Sequence, residues 1–372
     1  MKCGGQEIYV RPFGLHYCHL IKYFESIKGV KKIKDGYNPA TWMLEITTSM
    51  EEIALGVDFT TIYKNSELYR RNKTIIEQLS KPPPSSKDIY FPSQYSQSFF
   101  IQCMACFLWK QHWSYWRNPP YTAARMLFTV VVALTFGTMF WDRGSKIEKQ
   151  QNLFNVMGSM YAAIVFLGLQ TVSYVQPVVD VERTVFYRER AAGMYSASSY
   201  ALAQAVIELP YGFVQAAVYS VIVYSMIGFE WTAAKYFWYI FFTYFTLMYY
   251  TYFGMMSVVL TPNHKIASVV SIAFHALWNL FLRFPIPGPR IPIWWRWYYW
   301  ACPMAWTTYG LVASQFGDVI KDMLDTGLTV EAFTTCYFAY KHDFLAELAV
   351  GVVGFAALFA CIFGFAIMVL NF

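Results

Sequence analysis

The sequence contains few charged residues, and this shortage excludes an ordinary soluble domain. Asp, Glu, Lys and Arg make up 14% of the 372 residues, whereas hydrophobic residues make up 56% and aromatic residues 20%. A typical soluble domain has about 25% charged residues. The composition therefore favours a membrane protein. The net charge of +6 does not indicate nucleic-acid binding, because the basic residues are spread over connecting segments instead of forming one polar face.

The sequence also lacks a leader, a zinc-binding pattern and a catalytic motif. Residues 1–34 contain no apolar block, so we expect the N-terminal segment to stay in the cytosol. Cys103 and Cys106 are three residues apart, but no second pair or suitably spaced histidine follows to complete a metal site. No His-Glu-x-x-His, Gly-x-Ser-x-Gly or Gly-x-x-x-x-Gly-Lys-[Ser/Thr] motif occurs. The chain is therefore predicted to have no catalytic residues, no metal site and no ATP site of its own.

The first quarter of the chain is more polar than the rest and is predicted to form a soluble piece, residues 1–80. Residues 6–10 alternate as a short strand does, and Asn38 followed by proline predicts a helix start. Residues 81–94 include three consecutive prolines and are predicted to form a stiff linker. The aromatic and basic side chains of residues 95–119 are typical of a connecting helix that lies at the membrane surface.

Six apolar stretches, each about 20 residues long, are predicted to cross a bilayer. They are residues 122–141, 153–175, 200–228, 237–260, 266–284 and 348–370. An even number of spans places the polar segment 181–196 in the cytosol. The basic residues of the short cytosolic connections and flanks, which include Arg125, agree with this topology. The external segment 285–343 contains the Trp- and Tyr-rich residues 291–300, which favour a position at the outer membrane interface.

Polar residues inside the third span are candidates for function. A charge at mid-span costs about 2.5–3.5 kcal/mol, so Glu208 is expected to face protein or water. Gln204, Glu208 and Gln215 share one helical face. Two interpretations remain open: a polar relay between membrane and cytosol, or interhelical hydrogen bonds that fix the packing.

A second group of residues, in the second and fifth spans, is a candidate substrate cavity lined by aromatic and a few polar side chains. Its members are Asn155, Gln170, Phe274, Asn279 and Phe281. Plain helix packing is the alternative interpretation of the same side chains. Cys302 and Cys336 are both predicted to lie outside the cell, where they either form a disulfide or remain two thiols.

Four stretches of sequence carry a resemblance to a known family. They are Gly-Gly-Gln-Glu-Ile-Tyr-Val at 4–10, Asn-Pro-Ala-Thr-Trp-Met-Leu-Glu at 38–45, Val-Phe-Tyr-Arg-Glu-Arg-Ala-Ala-Gly-Met-Tyr-Ser at 185–196 and Trp-Trp-Arg-Trp-Tyr-Tyr-Trp at 294–300. Together they resemble the plant pleiotropic drug resistance type of the ABC transporter G subfamily. The resemblance extends over essentially the whole chain and is specific to the C-terminal part of the full-size protein.

The resemblance implies an all-α membrane protein with a six-helix ABC-2 type transmembrane domain in residues 120–372, preceded by a C-terminal remnant of a nucleotide-binding domain in residues 1–80. It implies the membrane part of an ATP-driven exporter of lipophilic small molecules, multi-pass in the plasma membrane. ATP and Mg²⁺ would be bound by domains that this chain does not contain. The implied partners are the bilayer, a nucleotide-binding domain and a second transmembrane domain. The alternative function is a non-transporting scaffold or partner of an intact transporter.

The resemblance also implies roles for particular residues. The family has a cytosolic coupling helix after the second span, which maps onto residues 182–194 and would contact the ATPase domain. Its candidate coupling residues are Glu182, Arg183, Tyr187, Arg188, Glu189 and Arg190. The substrate path of the family runs along the second and fifth spans. The chain departs from the family pattern at Asp180, where a small neutral residue is usual, and at residues 282–284, where Leu-Arg-Phe replaces Ser-Gly-Phe.

Overall fold

A computed structural model describes most of the chain. The described residues are 2, 5–83, 90, 93–147, 149–280, 291–319 and 327–370. The chain divides into two compact units, Met1–Phe91 and Pro92–Phe372, which are described separately. Most of the predicted linker 81–94 lies outside the described residues.

The first unit is a small helical assembly. Its helices are α1 (Cys18–Glu25), α2 (Pro39–Ile46), α3 (Ser49–Leu55), α4 (Phe59–Asn65) and α5 (Glu67–Leu79). The predicted start of α2 is confirmed, because the Asn38 side chain accepts a hydrogen bond from the Ala40 N–H at 2.9 Å. Thr48, Asp58 and Ser66 cap the next three helices in the same way. Local capping therefore sets where these short helices begin.

The predicted strand at residues 6–10 is wrong. Within the described residues, the only β-bridge there joins Lys2 to Gln6. Ile8 instead lies in a core with Phe24, whose ring packs edge-on against Trp42 and Phe59 at 6.4 and 5.8 Å between centroids. Alternation alone cannot make a strand without a neighbouring strand to pair with.

The second unit is a bundle of long helices. Its elements are α6 (Phe99–Lys110), α7 (Pro119–Met139), α8 (Gln150–Ala191), α9 (Ala197–Ile227), α10 (Ala233–Val259), α11 (His264–Leu280), α12 (Arg296–Ala301), α13 (Pro303–Phe316), α14 (Val330–Phe333) and α15 (Leu345–Val369). Helix α10 lies at the centre and packs against α8, α9, α11, α13 and α15. Glycine permits close approach there, because a Cβ on Gly168 would lie 2.2 Å from the Tyr250 ring.

Helices occupy all six predicted spans within the described residues. Among these residues, four helices are long and apolar enough to cross a membrane by length and composition: α7, α8, α9 and α15 together with the turn that precedes it. Helix α10 has 27 residues, but its six tyrosines lower its mean hydropathy, and α11 has 17 described residues. The all-α membrane architecture is confirmed. The count of six crossings stays a prediction, and the end of the fifth predicted span lies outside the described residues.

The structure adds detail to two predicted segments. The polar segment 181–196 was expected as a separate element after the second span, yet α8 runs without a break through Ala191 and contains Pro177. The helix continues through Gly158 and Gly168 and ends just before Gly193, where φ is +70°. The segment 285–343, whose external location stays a prediction, contains α13, of which all residues except Trp306 are buried. A packed helix within this segment was not foreseen.

Candidate functional site

The polar end of α8 is attached to the bundle by Arg183. This guanidinium is 4% exposed and donates to the backbone carbonyls of Val258 at 2.8 Å, Thr261 at 2.7 Å and Pro262 at 2.6 Å. It also donates to the Asp180 carboxylate at 3.0 Å. The three carbonyls lie at and just beyond the C-terminus of α10, where helical carbonyls lack partners and a cation is favoured. Arg183 therefore fixes α8 to the end of α10.

A second attachment joins the same helix to α15. Arg190 donates to the carbonyls of Ile367 at 3.3 Å and Met368 at 3.0 Å, and the Tyr187 hydroxyl donates to the Leu370 carbonyl at 3.3 Å. These carbonyls belong to the last turn of α15 and the residue after it. Basic side chains near a helix C-terminus stabilise it by the same two effects, hydrogen bonding and the helix dipole. The polar end of α8 is thus fixed at two neighbouring helix ends.

The turn between α8 and α9 is also closely bonded. The Tyr195 hydroxyl donates to the Glu189 carboxylate, and burial, followed by this carboxylate, raises the pKa of the Tyr195 phenol well above its ordinary value. Ser196 caps α9, and its backbone N–H donates to the buried Gln102 side chain of α6 at 2.9 Å. The connecting helix α6 and the α8–α9 turn are therefore joined by hydrogen bonds.

A cavity of about 550 Å³ lies between α6 and the polar end of α8. Its described lining is mainly apolar and aromatic, with Glu182 and Glu189 as the charged members. The lining residues are Ala105, Cys106, Trp109, Val181, Glu182, Val185, Phe186, Glu189, Met194, Tyr195 and Tyr200. Its volume is in the range of small-molecule sites, which is about 300–1,000 Å³.

The six candidate coupling residues consequently fall into different environments. Arg183, Tyr187 and Arg190 contact helix ends within the same unit, as described above. Glu182 and Glu189 line the cavity, while Arg188 is exposed. The structure places all six on one continuous helix, and their contact with an ATPase domain stays a prediction.

Glu208 lies in a buried charge cluster between α7 and α9. Its carboxylate is fully buried and accepts from Arg125 Nη1 at 2.7 Å, from the Tyr121 hydroxyl at 2.5 Å and from the Tyr115 hydroxyl. Arg125 Nε also donates to Gln215 Oε1 at 2.6 Å. The sequence assigns Arg125 to the cytosolic flanks, whereas in the structure it is 3% exposed and belongs to this cluster. These bonds satisfy Glu208 and two nitrogens of Arg125, while Arg125 Nη2 has no hydrogen-bond partner among the described residues.

Of the three polar residues predicted to share a face of α9, the structure connects Glu208 and Gln215 but not Gln204. Gln215 joins Glu208 through Arg125, and its amide donates to Thr129 Oγ1 at 2.9 Å. Gln204 is fully buried, yet neither atom of its amide has a hydrogen-bond partner among the described residues. The cluster thus fits interhelical bonding for Glu208 and Gln215, and a relay role for the trio stays a prediction.

Sequence reasoning missed Arg125, Tyr115 and Tyr121 as partners of Glu208. The available signal was charge balance: a carboxylate placed inside a span needs a cation, and Arg125 follows closely on the predicted start of the first span. The separation of 83 residues between Arg125 and Glu208 gave no local pattern to connect them.

Four of the five predicted substrate-cavity residues lie on α8 and α11, two helices that pack together. Asn279 accepts a hydrogen bond from the Tyr161 hydroxyl of α8 at 3.0 Å, and Phe274 is exposed. Asn155 and Gln170 are half-buried on α8. These four residues are not among those lining the 550 Å³ cavity. Phe281 and residues 282–284 lie outside the described residues.

A buried polar cluster between α8, α10 and α11, nearer the polar end of α8, was not singled out from the sequence. The Gln176 amide donates to Ser271 at 2.8 Å and to Ser257 at 3.0 Å, and its carbonyl accepts from Ser268 at 2.7 Å. One turn further along α8, Asp180 contacts His264 Nδ1 at 2.7 Å. These bonds join α8, α10 and α11, so Asp180 has a packing partner in this chain.

Cys302 and Cys336 are both free thiols. Cys302 is buried, with its sulfur 3.6 Å from the Trp278 carbonyl oxygen, whereas Cys336 is exposed. Of the two alternatives left open by the sequence, the structure shows the pair of thiols.

Comparison with known proteins gives the family. A family model described as "ABC-2 type transporter" matches residues 101–316. The chain is 66% identical over all of its 372 residues to ABC transporter G family member 36 of Oryza sativa subsp. indica, and it spans 25% of that protein. It is 64% identical to pleiotropic drug resistance protein 1 of Petunia axillaris and 62% identical to ABC transporter G family member 40 of Arabidopsis thaliana, and it spans 26% of each.

These relatives confirm the resemblance drawn from the sequence. The chain spans about a quarter of the length of the curated relatives it matches, and the match covers the chain from end to end. The family model covers the connecting helix α6, the helices α7 to α11 and the buried helix α13. Because that model matches more than half of the residues, the chain belongs to the ABC-2 type transporter family.

Proposed function

We propose that this chain is the membrane part of an ATP-driven exporter of lipophilic small molecules in the plasma membrane. The observation that carries the proposal is the end-to-end similarity, at 62–66% identity, to proteins named ABC transporters and pleiotropic drug resistance proteins. The apolar helices α7, α8, α9 and α15 support a membrane location. The relatives are about four times as long as this chain, which leaves room for the remaining domains of a transporter.

The proposed partners follow from what an ABC-2 domain requires. The sequence contains no Gly-x-x-x-x-Gly-Lys-[Ser/Thr] motif, the loop that cradles nucleotide phosphates in P-loop ATPases. The chain is a transmembrane domain and not itself an ATPase. The complete transporter would therefore also need a nucleotide-binding domain that holds ATP and Mg²⁺, and a second transmembrane domain. Residues 1–80 would be the end of such a nucleotide-binding domain.

The geometry of α8 supports a lever that transmits movement to the membrane. Its 42 residues give a length of about 63 Å at 1.5 Å per residue, long enough to cross a bilayer and project beyond it. Arg183 and Arg190 fix its polar end to α10 and α15, so a push on the exposed Arg188 would move several helices together. The half-buried side chains at the α8–α11 interface would then line the path of a lipophilic substrate.

Transport activity tests the proposal directly. The chain would be expressed in a membrane alone and together with an intact relative, and vanadate-sensitive export of a lipophilic dye would be measured. We expect no ATP-dependent export by the chain alone. A gain above the export of the intact relative would show that the chain pairs productively, whereas a dominant decrease would favour a non-transporting partner. ATP-driven export by the chain alone would contradict the proposal.

The coupling role has a separate test in an intact relative. In that relative, the substitution Arg188→Glu is made at the corresponding position and reverses an exposed charge. We expect ATP hydrolysis to continue while export falls. The matched control is Thr184→Glu at its corresponding position, which adds a carboxylate to an exposed site one helical turn earlier. Equal export by the Arg188→Glu variant and the wild-type protein would remove Arg188 from the coupling surface.

A further inference from the structure

Helix α11 is attached to the bundle by a narrow face. Four of its 17 residues are buried, Ala267, Ser271, His275 and Trp278, and they lie on one side because they are three or four residues apart. The opposite side, which includes Val269, is apolar and exposed. Helix α10, by contrast, has 17 of its 27 residues buried. The position of α11 therefore depends more on its polar contacts than the position of α10 does.

The polar contacts of α11 converge on Gln176 of α8. This side chain is 1% exposed, and its amide nitrogen donates to Ser271 at 2.8 Å and to Ser257 of α10 at 3.0 Å. Its amide oxygen accepts from Ser268 at 2.7 Å. Both polar atoms of the amide are thus bonded, and one side chain joins α8 to two neighbouring helices.

These bonds fix the register of α8 against α11. Asp180 contacts His264 at the start of α11, while Gln176, one turn earlier on α8, contacts serines one and two turns later on α11. A slip of one residue, about 1.5 Å, would break these bonds and leave buried polar groups without partners. His264 is 38% exposed, so water can replace its partner, whereas Gln176 is buried.

The residue after Gln176 weakens α8 at the same place. Pro177 lies inside the helix and has no N–H, so the usual helical bond to the Ser173 carbonyl is lost. Helix α11 is bonded to α8 on both sides of this proline, through Asp180 after it and Gln176 before it. A displacement of the polar end of α8 would therefore carry α11 with it instead of bending α8 at the proline.

We infer that Gln176 is a positioning residue that makes α11 follow movements of the polar end of α8. It acts through Ser268 and Ser271, and loss of its amide should free α11 while α8 and α10 stay packed together. The consequence for transport rests on the proposed function, whereas the coupled movement of the two helices does not.

The coupled movement is tested in the full chain by distances between spin labels. Nitroxides on p-acetylphenylalanine would replace the exposed residues Arg188 of α8 and Ile272 of α11, and double electron–electron resonance would be recorded in phosphatidylcholine nanodiscs. A reference pair joins position 188 to the exposed Phe365 of α15. We expect Gln176→Leu to broaden the distance distribution between α8 and α11 and to leave the reference distribution unchanged.

Two further variants separate positioning from stability. Ser173→Leu introduces leucine at an exposed position of α8 and should leave both distributions as in the wild-type protein. The quadruple variant Gln176→Leu, Ser257→Ala, Ser268→Ala and Ser271→Ala removes the amide together with its partners, so resistance to unfolding by sodium dodecyl sulfate should return close to the wild-type value. Its distribution between α8 and α11 should nevertheless stay broad, because the bonds that fix the register are still absent.

Two results of the distance measurements would overturn the inference. An unchanged distribution in Gln176→Leu would make the amide dispensable for the position of α11. A distribution that narrows again in the quadruple variant, together with its recovered stability, would reduce the amide to a purely structural role.

The consequence for transport is measured in an intact relative, with the substitution Gln176→Leu at the corresponding position. We expect export per ATP hydrolysed to fall about twofold to thirtyfold, the range in which such side chains change coupling between sites, while ATP hydrolysis continues. Unchanged export per ATP would overturn the role of Gln176 and leave the proposed function intact. Absence of vanadate-sensitive export by the wild-type relative would instead count against the proposed function.

Discussion

Two buried arginines of the membrane unit are neutralised in different ways. Arg125 pairs with the fully buried carboxylate of Glu208, whereas Arg183 is surrounded mainly by backbone carbonyls beyond the end of α10. Both guanidiniums are almost inaccessible, at 3% and 4% exposure. The first arrangement concentrates compensation in one partner of full charge. The second divides it between the Asp180 carboxylate and the partial charges of three carbonyls, so the loss of any single acceptor should cost less.

The difference also separates two kinds of helix contact. The Arg125–Glu208 pair joins the interiors of α7 and α9, where neither group has access to water. Arg183 and Arg190 bind helix termini, where the carbonyls lack intrahelical partners in any case. The interior pair should therefore behave as a single unit, and the terminal arginines as separate, smaller contributions.

The largest expected effect comes from breaking the interior pair on one side. Glu208→Gln leaves Arg125 charged and buried, and we expect a loss of about 3–5 kcal/mol in the free energy of unfolding. Unfolding by sodium dodecyl sulfate, followed by circular dichroism in mixed micelles, measures that loss.

The control for this prediction is the double variant Arg125→Met with Glu208→Met. Removing both charges together should recover most of the stability, because no uncompensated charge then remains buried. If the two single losses simply add in the double variant, Arg125 and Glu208 do not act as a unit.

The second effect is smaller and concerns Arg183. Arg183→Met removes hydrogen bonds to three carbonyls and to Asp180, and we expect a loss of about 2–3 kcal/mol, since bonds to charged groups contribute about 1.5–3 kcal/mol each and water can replace part of them. The same unfolding experiment applies. Arg188→Met on the exposed face is the matched control and should stay within about 0.5 kcal/mol of the wild-type protein. Equal losses for both variants would refute the difference in environment.

Local sequence patterns predicted the features that are determined locally. The Asn38 cap needs only the residues that follow it, and the apolar runs of α7 to α11 and α15 needed only their length and hydropathy. The shared face of Glu208 and Gln215 followed from helical spacing. Family membership followed from motifs such as residues 185–196, and the comparisons confirmed it.

Features that depend on distant partners were not predictable in this way. The partner of Glu208 lies 83 residues earlier, and the acceptors of Arg190 lie 177 and 178 residues later. The strand predicted at residues 6–10 failed for the same reason, because pairing requires a neighbour that periodicity cannot supply. The polar end of α8, through Ala191, contacts the ends of α10 and α15 through Arg183 and Arg190, and hydropathy does not include such distant contacts.

A third effect follows at the end of α15. Arg190→Met removes two hydrogen bonds to the last turn of α15, and we expect a loss of about 1 kcal/mol from the bonds and the helix dipole together. Hydrogen–deuterium exchange should accelerate in the last turn of α15 and remain unchanged in α10, which Arg183 still binds. Faster exchange in both helices would mean that the two attachments are not independent.

The smallest expected effect is that of Gln204→Leu, which is compared with the same change at Gln215 of the same helix α9. Gln215 is bonded to Arg125 and Thr129, while Gln204 is equally buried with no hydrogen-bond partner among the described residues. An unpaired buried amide carries a desolvation penalty, so Gln204→Leu should be neutral or stabilise the fold by up to about 1 kcal/mol. Gln215→Leu, the same chemical change, should destabilise it by about 1–3 kcal/mol because it leaves a buried guanidinium N–H without an acceptor. Measured stabilities in the reverse order would mean that Gln204 acquires a partner on assembly and that Gln215 is dispensable to the charge cluster.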